Sequence, residues 1–325
     1  MIIYYDGRFE TILFGIKQLK HVFNKLDIFF IERNLNSFTC SSDMKSIVVS
    51  FASQGIRQVS ETVGEEGFEI SIDKNTVYIT GREHKGVMYG LLDTAENMEF
   101  YGVESIKAKQ ENPFMKMRGI KFNLPFEPYD MGDPFEKNVK TCMDLDFWRE
   151  YIDFLALNRY NCLSLWSEHP FHMMFRLDKY PQTCPYSDVE LEKYKELFKF
   201  IFSHSKRRGI EVYIITWNIR LTPFVAKGLG LPGELGDMAD QYDVVYDHHN
   251  NIPNNTKEFD AIRQHSEVVK DYFKECIKAL VTTYRDLSGI GTSSSEEMTG
   301  SAEERQQWVT DTYLEAVKEA GRNVP

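Results

Sequence analysis

Two adjacent carboxylates, Glu296 and Glu297, follow three small serines in GIGTSSSEEMTG, at the end of a short apolar run. Carboxyl groups delivered to the mouth of a pocket, with small residues leaving space beside them, suit general acid work. In a glycosidase one carboxylic acid of raised pKa protonates the leaving oxygen. On this reading Glu296 donates the proton, and Glu297 orients it or binds substrate. Both glutamates also suit the first turn of the helix that opens near Ser301, where the helix dipole favours acids, so the spacing alone leaves two readings open. Other chemistry-bearing residues recur at the ends of strand-like runs: Asn123; Trp166, Glu168 and His169; Trp217, Asn218 and Arg220. Indole faces beside Asn, Glu and His are what a sugar pocket requires, with apolar rings for C–H faces and polar groups for hydroxyls. Each of these groups, taken singly, could equally serve a core or a turn. Asp247-His248-His249 has the composition of a metal set but lies in a polar stretch ending Asn250-Asn251, so it reads as a solvated loop and no metal or cofactor is expected.

The elements that would position these groups are legible from periodicity. From residue 118 onward, strands alternate with long amphipathic helices. Strand one is Arg118 to Asn123, and a helix follows from about 147 to 158 with Trp148, Tyr151, Ile152 and Leu155 on one face. Strand two is Tyr160 to Trp166. The next helix carries a capping box at Ser187 and Glu190, bases at 206–208 and Gly209 after its end. Strand three, IEVYIITW, is a near-continuous apolar run and reads as buried on both faces. A helix over about 266–285, a short strand at 289–292 and a helix capped by Ser301 and Glu304 complete four βα units.

The expected fold is therefore α/β: a small α+β domain over residues 1–112, then residues 113–325 as the N-terminal half of a (β/α)₈ TIM-type barrel with about four βα units present. A complete, open four-stranded sheet is the alternative. In the first domain, a helical pattern near 9–25 and the β-rich runs IFFIERN and SIVVSFA precede a hairpin, GFEISIDKNTVYITG, turning at Asp73-Lys74-Asn75. A helix then places Val87, Met88, Leu91, Leu92 and Ala95 on one apolar face, and residues 110–117, with Pro113, read as a connector.

Composition limits the function classes. The chain has 325 residues, 42% apolar and 14% aromatic, enough for one large core or two domains. A net charge of −11 with interspersed signs supplies no basic stripe, so neither nucleic acid nor an anionic membrane is an expected partner. The 23 Phe, 17 Tyr and 4 Trp suit sugar stacking, although an aromatic-rich core would account for them too. Cys40, Cys142, Cys162, Cys184 and Cys276 show no C-x-x-C spacing and read as reduced core thiols. The N-terminus lacks a basic region leading into an apolar signal segment. As written the chain reads as cytoplasmic, or as periplasmic or secreted if the N-terminus is incomplete. Its oligomeric state is not legible.

Several stretches together resemble known glycoside hydrolases. GFEIS…NTVYITGREHKGVMYGLLDTAE, with its G-x-x-Y-G-L-x-x-x-x-E pattern, resembles the non-catalytic N-terminal domain of family 20 β-hexosaminidases and of family 67 and 115 α-glucuronidases. KMRGIKFNLPF is similar to the opening barrel strand of those enzymes. FWREYIDFLALNRYNCLSLWSEHPF, YIITWNI and GIGTSSSEEMTG are similar to later strand-and-loop segments of bacterial, α-glucuronidase-like members active on polysaccharides. The resemblance covers about residues 65–125, 145–220 and 285–300. It implies a glycosidase acting on a carbohydrate substrate, with Glu296 as proton donor, Arg118 as a sugar-hydroxyl ligand, and Trp166, His169, Trp217 and Asn218 lining the pocket. One departure matters: hexosaminidases carry Asp directly before the acid Glu, and here that residue is Ser295, or Glu296 if Glu297 is the acid, which speaks against substrate-assisted N-acetylhexosamine cleavage. The α-glucuronidase-like enzymes place their general base on later strands, so the chain alone is expected to be inactive. The competing readings are a glycan-binding fragment without turnover, a β-N-acetylhexosaminidase-like enzyme, and a non-hydrolytic barrel such as a lyase or isomerase, which would usually show a metal set or a phosphate-binding glycine loop.

Overall fold

The computed structural model describes residues 1–39, 44–126, 135–167, 169–217, 219, 221–231, 264–293 and 298–322. They form two compact units. The first comprises Met1–Arg118 with the short returns Leu155–Arg159 and Arg207–Gly209; the second comprises Gly119–Phe154, Tyr160–Lys206 and Ile210–Pro325.

The first unit is α+β. Its elements are β1 (Ile2–Tyr5), α1 (Glu10–Lys25), β2 (Ile31–Asn34), β3 (Ser46–Phe51), β4 (Phe68–Asp73), β5 (Thr76–Gly81), α2 (His84–Tyr101) and β6 (Lys109–Glu111). The sheet runs β2-β1-β3-β5-β4-β6; the first four strands are parallel, and β4 pairs antiparallel with both β5 and β6. The hairpin forms where its alternation requires, with Ile70 opposite Ile79 and Lys74-Asn75 as the turn between paired Asp73 and Thr76. The segment read as a connector contributes strand residues first, since Lys109 to Glu111 pair with β4.

Helices α1 and α2 bury Ile12, Leu19, Phe23, Val87, Met88 and Leu91 completely. Each such side chain contributes about 1.5–3 kcal/mol by leaving water. The glycines of the G-x-x-Y-G-L pattern have packing reasons. A methyl group at Gly86 would collide with the Gly67 carbonyl, and one at Gly90 would lie 2.7 Å from Ile79 Cγ2. Glycine is what lets α2 lie this close to the hairpin. Leu35, Val48 and Tyr78 form a smaller cluster with Tyr4, Phe38 and Ile56.

The second unit continues with β7 (Gly119–Asn123), α3 (Phe135–Cys142), α4 (Leu145–Leu157), β8 (Cys162–Ser167), α5 (Phe171–Met174), α6 (Asp188–Arg207), β9 (Glu211–Trp217), α7 (Pro223–Gly228), α8 (Glu267–Thr283), β10 (Gly289–Ser293), α9 (Ala302–Val309), a π-helical turn (Thr310–Leu314) and α10 (Glu315–Glu319). The strands lie in the order β10-β9-β8-β7, all parallel, so each pairs with its predecessor in sequence, the arrangement of four βα units of a (β/α)₈-type barrel. Both capping boxes form: Ser187 with Glu190, and Ser301 with Glu304.

One sheet face is apolar and helix-covered. Leu163, Leu165, Val212 and Ile214 are buried there, and Phe122 packs against Phe147, Trp148 and Tyr151 of α4. The other face differs from the expectation for strand three. Glu211 is exposed, and Tyr213 and Ile215 are half-buried, while Val212, Ile214 and Thr216 are buried. The apolar run hides a period of two because Tyr213 and Ile215 stand on the less covered face. Among the described cysteines, Cys142, Cys162, Cys184 and Cys276 are buried and form no disulfide. No helix among the described residues is long and apolar enough to cross a membrane.

Candidate active site

The carboxyl ends of the four parallel strands are Asn123, Ser167, Trp217 and Ser293. Register puts Asn123 beside Trp166 and Trp166 beside Ile215, so these side chains share one face; Trp217 beside Ser293 continues it. The two indoles meet edge to face, with ring centroids 5.0 Å apart and planes at 83°. Trp217 is buried at 3% exposure and supports the half-buried Trp166. The geometry therefore brings Asn123, Trp166 and Trp217 together. Lys121, two residues before Asn123 on the same face, extends its ammonium over the Trp166 ring at 4.1 Å from the centroid. The arrangement offers an apolar indole bordered by a cation and an amide, the means to hold a polar, ring-shaped ligand.

His169 is placed differently from the expectation that it lines an open pocket. It is 1% exposed, stacked on Tyr272 of α8 at 5.7 Å and on His172 of α5 at 5.6 Å, with Phe171 and Phe273 edge-on. Its Nδ1 lies 3.4 Å from His172 Nδ1, and its buried Nε2 has no partner among the described residues. Burial first, and His172 second, hold the His169 pKa well below the usual imidazole range. Burial likewise pulls His172 down to about 4. Both rings are neutral at neutral pH, so His169 supplies a fixed hydrogen-bonding atom and no charge.

Arg118 stands just before β7, at the amino end of the strand and away from Asn123. Its guanidinium donates to Glu66, to the Tyr89 hydroxyl and to the carbonyls of Arg159, Met115 and Lys116. These bonds make Arg118 an anchor of the first unit. Burial opposes its charge, but the ion pair with Glu66 raises its pKa overall.

Glu296, Glu297, Asn218, Glu168, Arg220, Ser295 and Asp247-His248-His249 lie outside the described residues. By chain connectivity Glu296 is three residues beyond Ser293. Period two on strand one could have found Lys121, which sequence reasoning missed. Nothing local announced Tyr272, or the π-helical turn whose Tyr313 hydroxyl lies 2.7 Å from Thr216 Oγ1, just before Trp217.

No family model matches the chain, and no match was found among curated proteins. Solved structures do match. An enzyme of glycoside hydrolase family 138 targeting pectin rhamnogalacturonan II aligns with a TM-score of 0.74 at 21% identity, over 99% of this chain and 34% of that one. A family 20 β-N-acetylhexosaminidase from Streptomyces coelicolor aligns with a TM-score of 0.59 at 13% identity, over 100% of this chain and 61% of that one. A Streptomyces plicatus β-hexosaminidase in complex with GlcNAc gives 0.60 at 13%, over 99% and 60%. The chain thus spans about a third of the first and about three-fifths of the others. At these identities the likeness shows the fold: this chain is similar to glycoside hydrolases in the whole course of both units.

Proposed function

We propose that the protein is a glycoside hydrolase acting on O-glycosidic bonds of a polysaccharide or oligosaccharide, with Glu296 as general acid and Glu297 beside it. The observation that carries this reading is the convergence of Asn123, Trp166 and Trp217 at the carboxyl ends of consecutive parallel strands, the end at which barrels of this kind do their chemistry. β10 ends three residues before Glu296, on the strand next in order. Asn218 is the further polar group assigned to the substrate, while the buried His169 supports the strand-end site from beneath. Within this class an α-glucuronidase-like substrate is favoured over an N-acetylhexosaminide: Lys121 gives the face a cation suited to a uronate carboxylate, and Ser295 replaces the acid that an acetamido group needs.

The test is release of 4-nitrophenol from 4-nitrophenyl α-glucuronide and 4-nitrophenyl N-acetyl-β-glucosaminide by the protein, by Glu296→Gln and by Glu297→Gln. The glucuronide is expected to be cleaved by the protein together with the later barrel strands that carry the general base, and Glu296→Gln to lose at least about a hundredfold there. An undiminished Glu296→Gln removes the acid assignment. Saccharide binding with no turnover by the parent protein would replace catalysis with glycan binding.

A further inference from the structure

We propose that the first unit carries a second, non-catalytic saccharide site, in a cleft built entirely from α2, β4, β6 and the turn that joins α2 to β6. Helix α2 stops at Tyr101 because Gly102 takes φ +79° and returns its N–H to the Met98 carbonyl at 2.9 Å. The chain then reverses and pairs Lys109 with Ile70 of β4. Between the last turns of α2 and the returning segment an open cleft of about 510 Å³ remains, within the size range of small-ligand sites.

The floor of the cleft is Ile70 and Thr94, both buried. Its rim is fixed. The Lys109 ammonium lies 2.7 Å from the Asp93 carboxylate, and Asn97 Nδ2 donates to the Asp93 carbonyl at 2.8 Å and to its carboxylate at 3.1 Å. Held this way, Asn97 presents Oδ1 with no hydrogen bond among the described residues. Three further groups line it: Tyr101, 76% exposed, whose ring tilts against Phe100 at 6.2 Å between centroids and leaves its other face open, the Lys107 ammonium and the Glu104 carboxylate.

The charges along this lining balance, two acidic against two basic, so the cleft selects neither a phosphate nor a cation. It instead presents donors and acceptors around one exposed aromatic face. A neutral sugar ring matches that set, since each hydroxyl both donates and accepts while a C–H face covers the phenol ring. The ligand class rests on the glycan function proposed above; the cleft itself shares no residue with the strand-end site. Such a site would hold a long glycan on the protein between cleavage events.

A printed array of neutral and uronic oligosaccharides, probed with the protein and with Tyr101→Ala, Lys107→Ala and Glu296→Gln, tests the proposal. Neutral spots are expected to retain the protein. Tyr101→Ala should lose about tenfold or more of that retention and Lys107→Ala a smaller part. Far-UV circular dichroism checks that the exposed substitutions leave the fold intact. Equal retention of Tyr101→Ala on every neutral spot, retention on uronic spots alone, or no retention at all would overturn it. Hydrolysis lost only in Glu296→Gln, together with Tyr101-independent retention, would sink this site and leave the catalytic reading standing. Tyr101-dependent retention without hydrolysis would do the reverse.

Discussion

The Trp217 indole buttresses Trp166 edge to face at 5.0 Å, so the more exposed ring is held by the buried one. Trp217→Ala is expected to cost about 3–5 kcal/mol in urea denaturation, as large-to-small changes at buried aromatic sites do. Trp166→Ala, half-buried, should cost about 1–2 kcal/mol yet weaken saccharide binding more than Trp166→Phe does. Equal stability losses at the two positions would contradict the support relationship.

Acid should weaken the second unit before its carboxylates titrate. Burial holds folded His172 near 4 against an ordinary 6.5, and His169 is also depressed. Below pH 6.5 the unfolded chain takes up protons that the folded rings refuse, so stability is present above that pH and falls as pH drops towards 4. For His172 alone the loss approaches about 3 kcal/mol. Carboxylates held low by ion pairs, such as Asp271 with Lys179 against the cost of burial, act at still lower pH. Thermal midpoints across pH 7 to 4.5 should decline in the parent and decline less in His172→Gln; parallel curves would rule the pair out as the cause.

The Arg118–Glu66 pair is largely shielded, at 17% and 13% side-chain exposure. Arg118→Met removes this partner from Glu66, which also lies 3.5 Å from Lys85, and should cost about 3 kcal/mol. Adding Glu66→Gln should recover part of the loss. Saccharide titration should be unchanged in the single variant; a large loss of affinity at unchanged stability would return Arg118 to the substrate site.

What the sequence determined by itself was the local grammar. Ser187 with Glu190, and Ser301 with Glu304, begin helices because a cap needs only the residue three positions on. The β4–β5 hairpin and the apolar faces of α2 and α4 follow from periods of 2 and 3.6 read within single segments. The succession of strands and helices from residue 118 was enough for a parallel βα order, and hence for a common end for Asn123, Trp166 and Trp217. What only the tertiary structure decided depends on partners far along the chain. Arg118 faces Glu66, 52 residues earlier, and so anchors the first unit. His169 disappears beneath Tyr272, delivered by a helix about a hundred residues later. Strand three read as buried throughout because apolarity does not say which face a helix will cover. Contacts of this kind form only when distant elements pack, and no local spacing encodes which distant side chain will arrive.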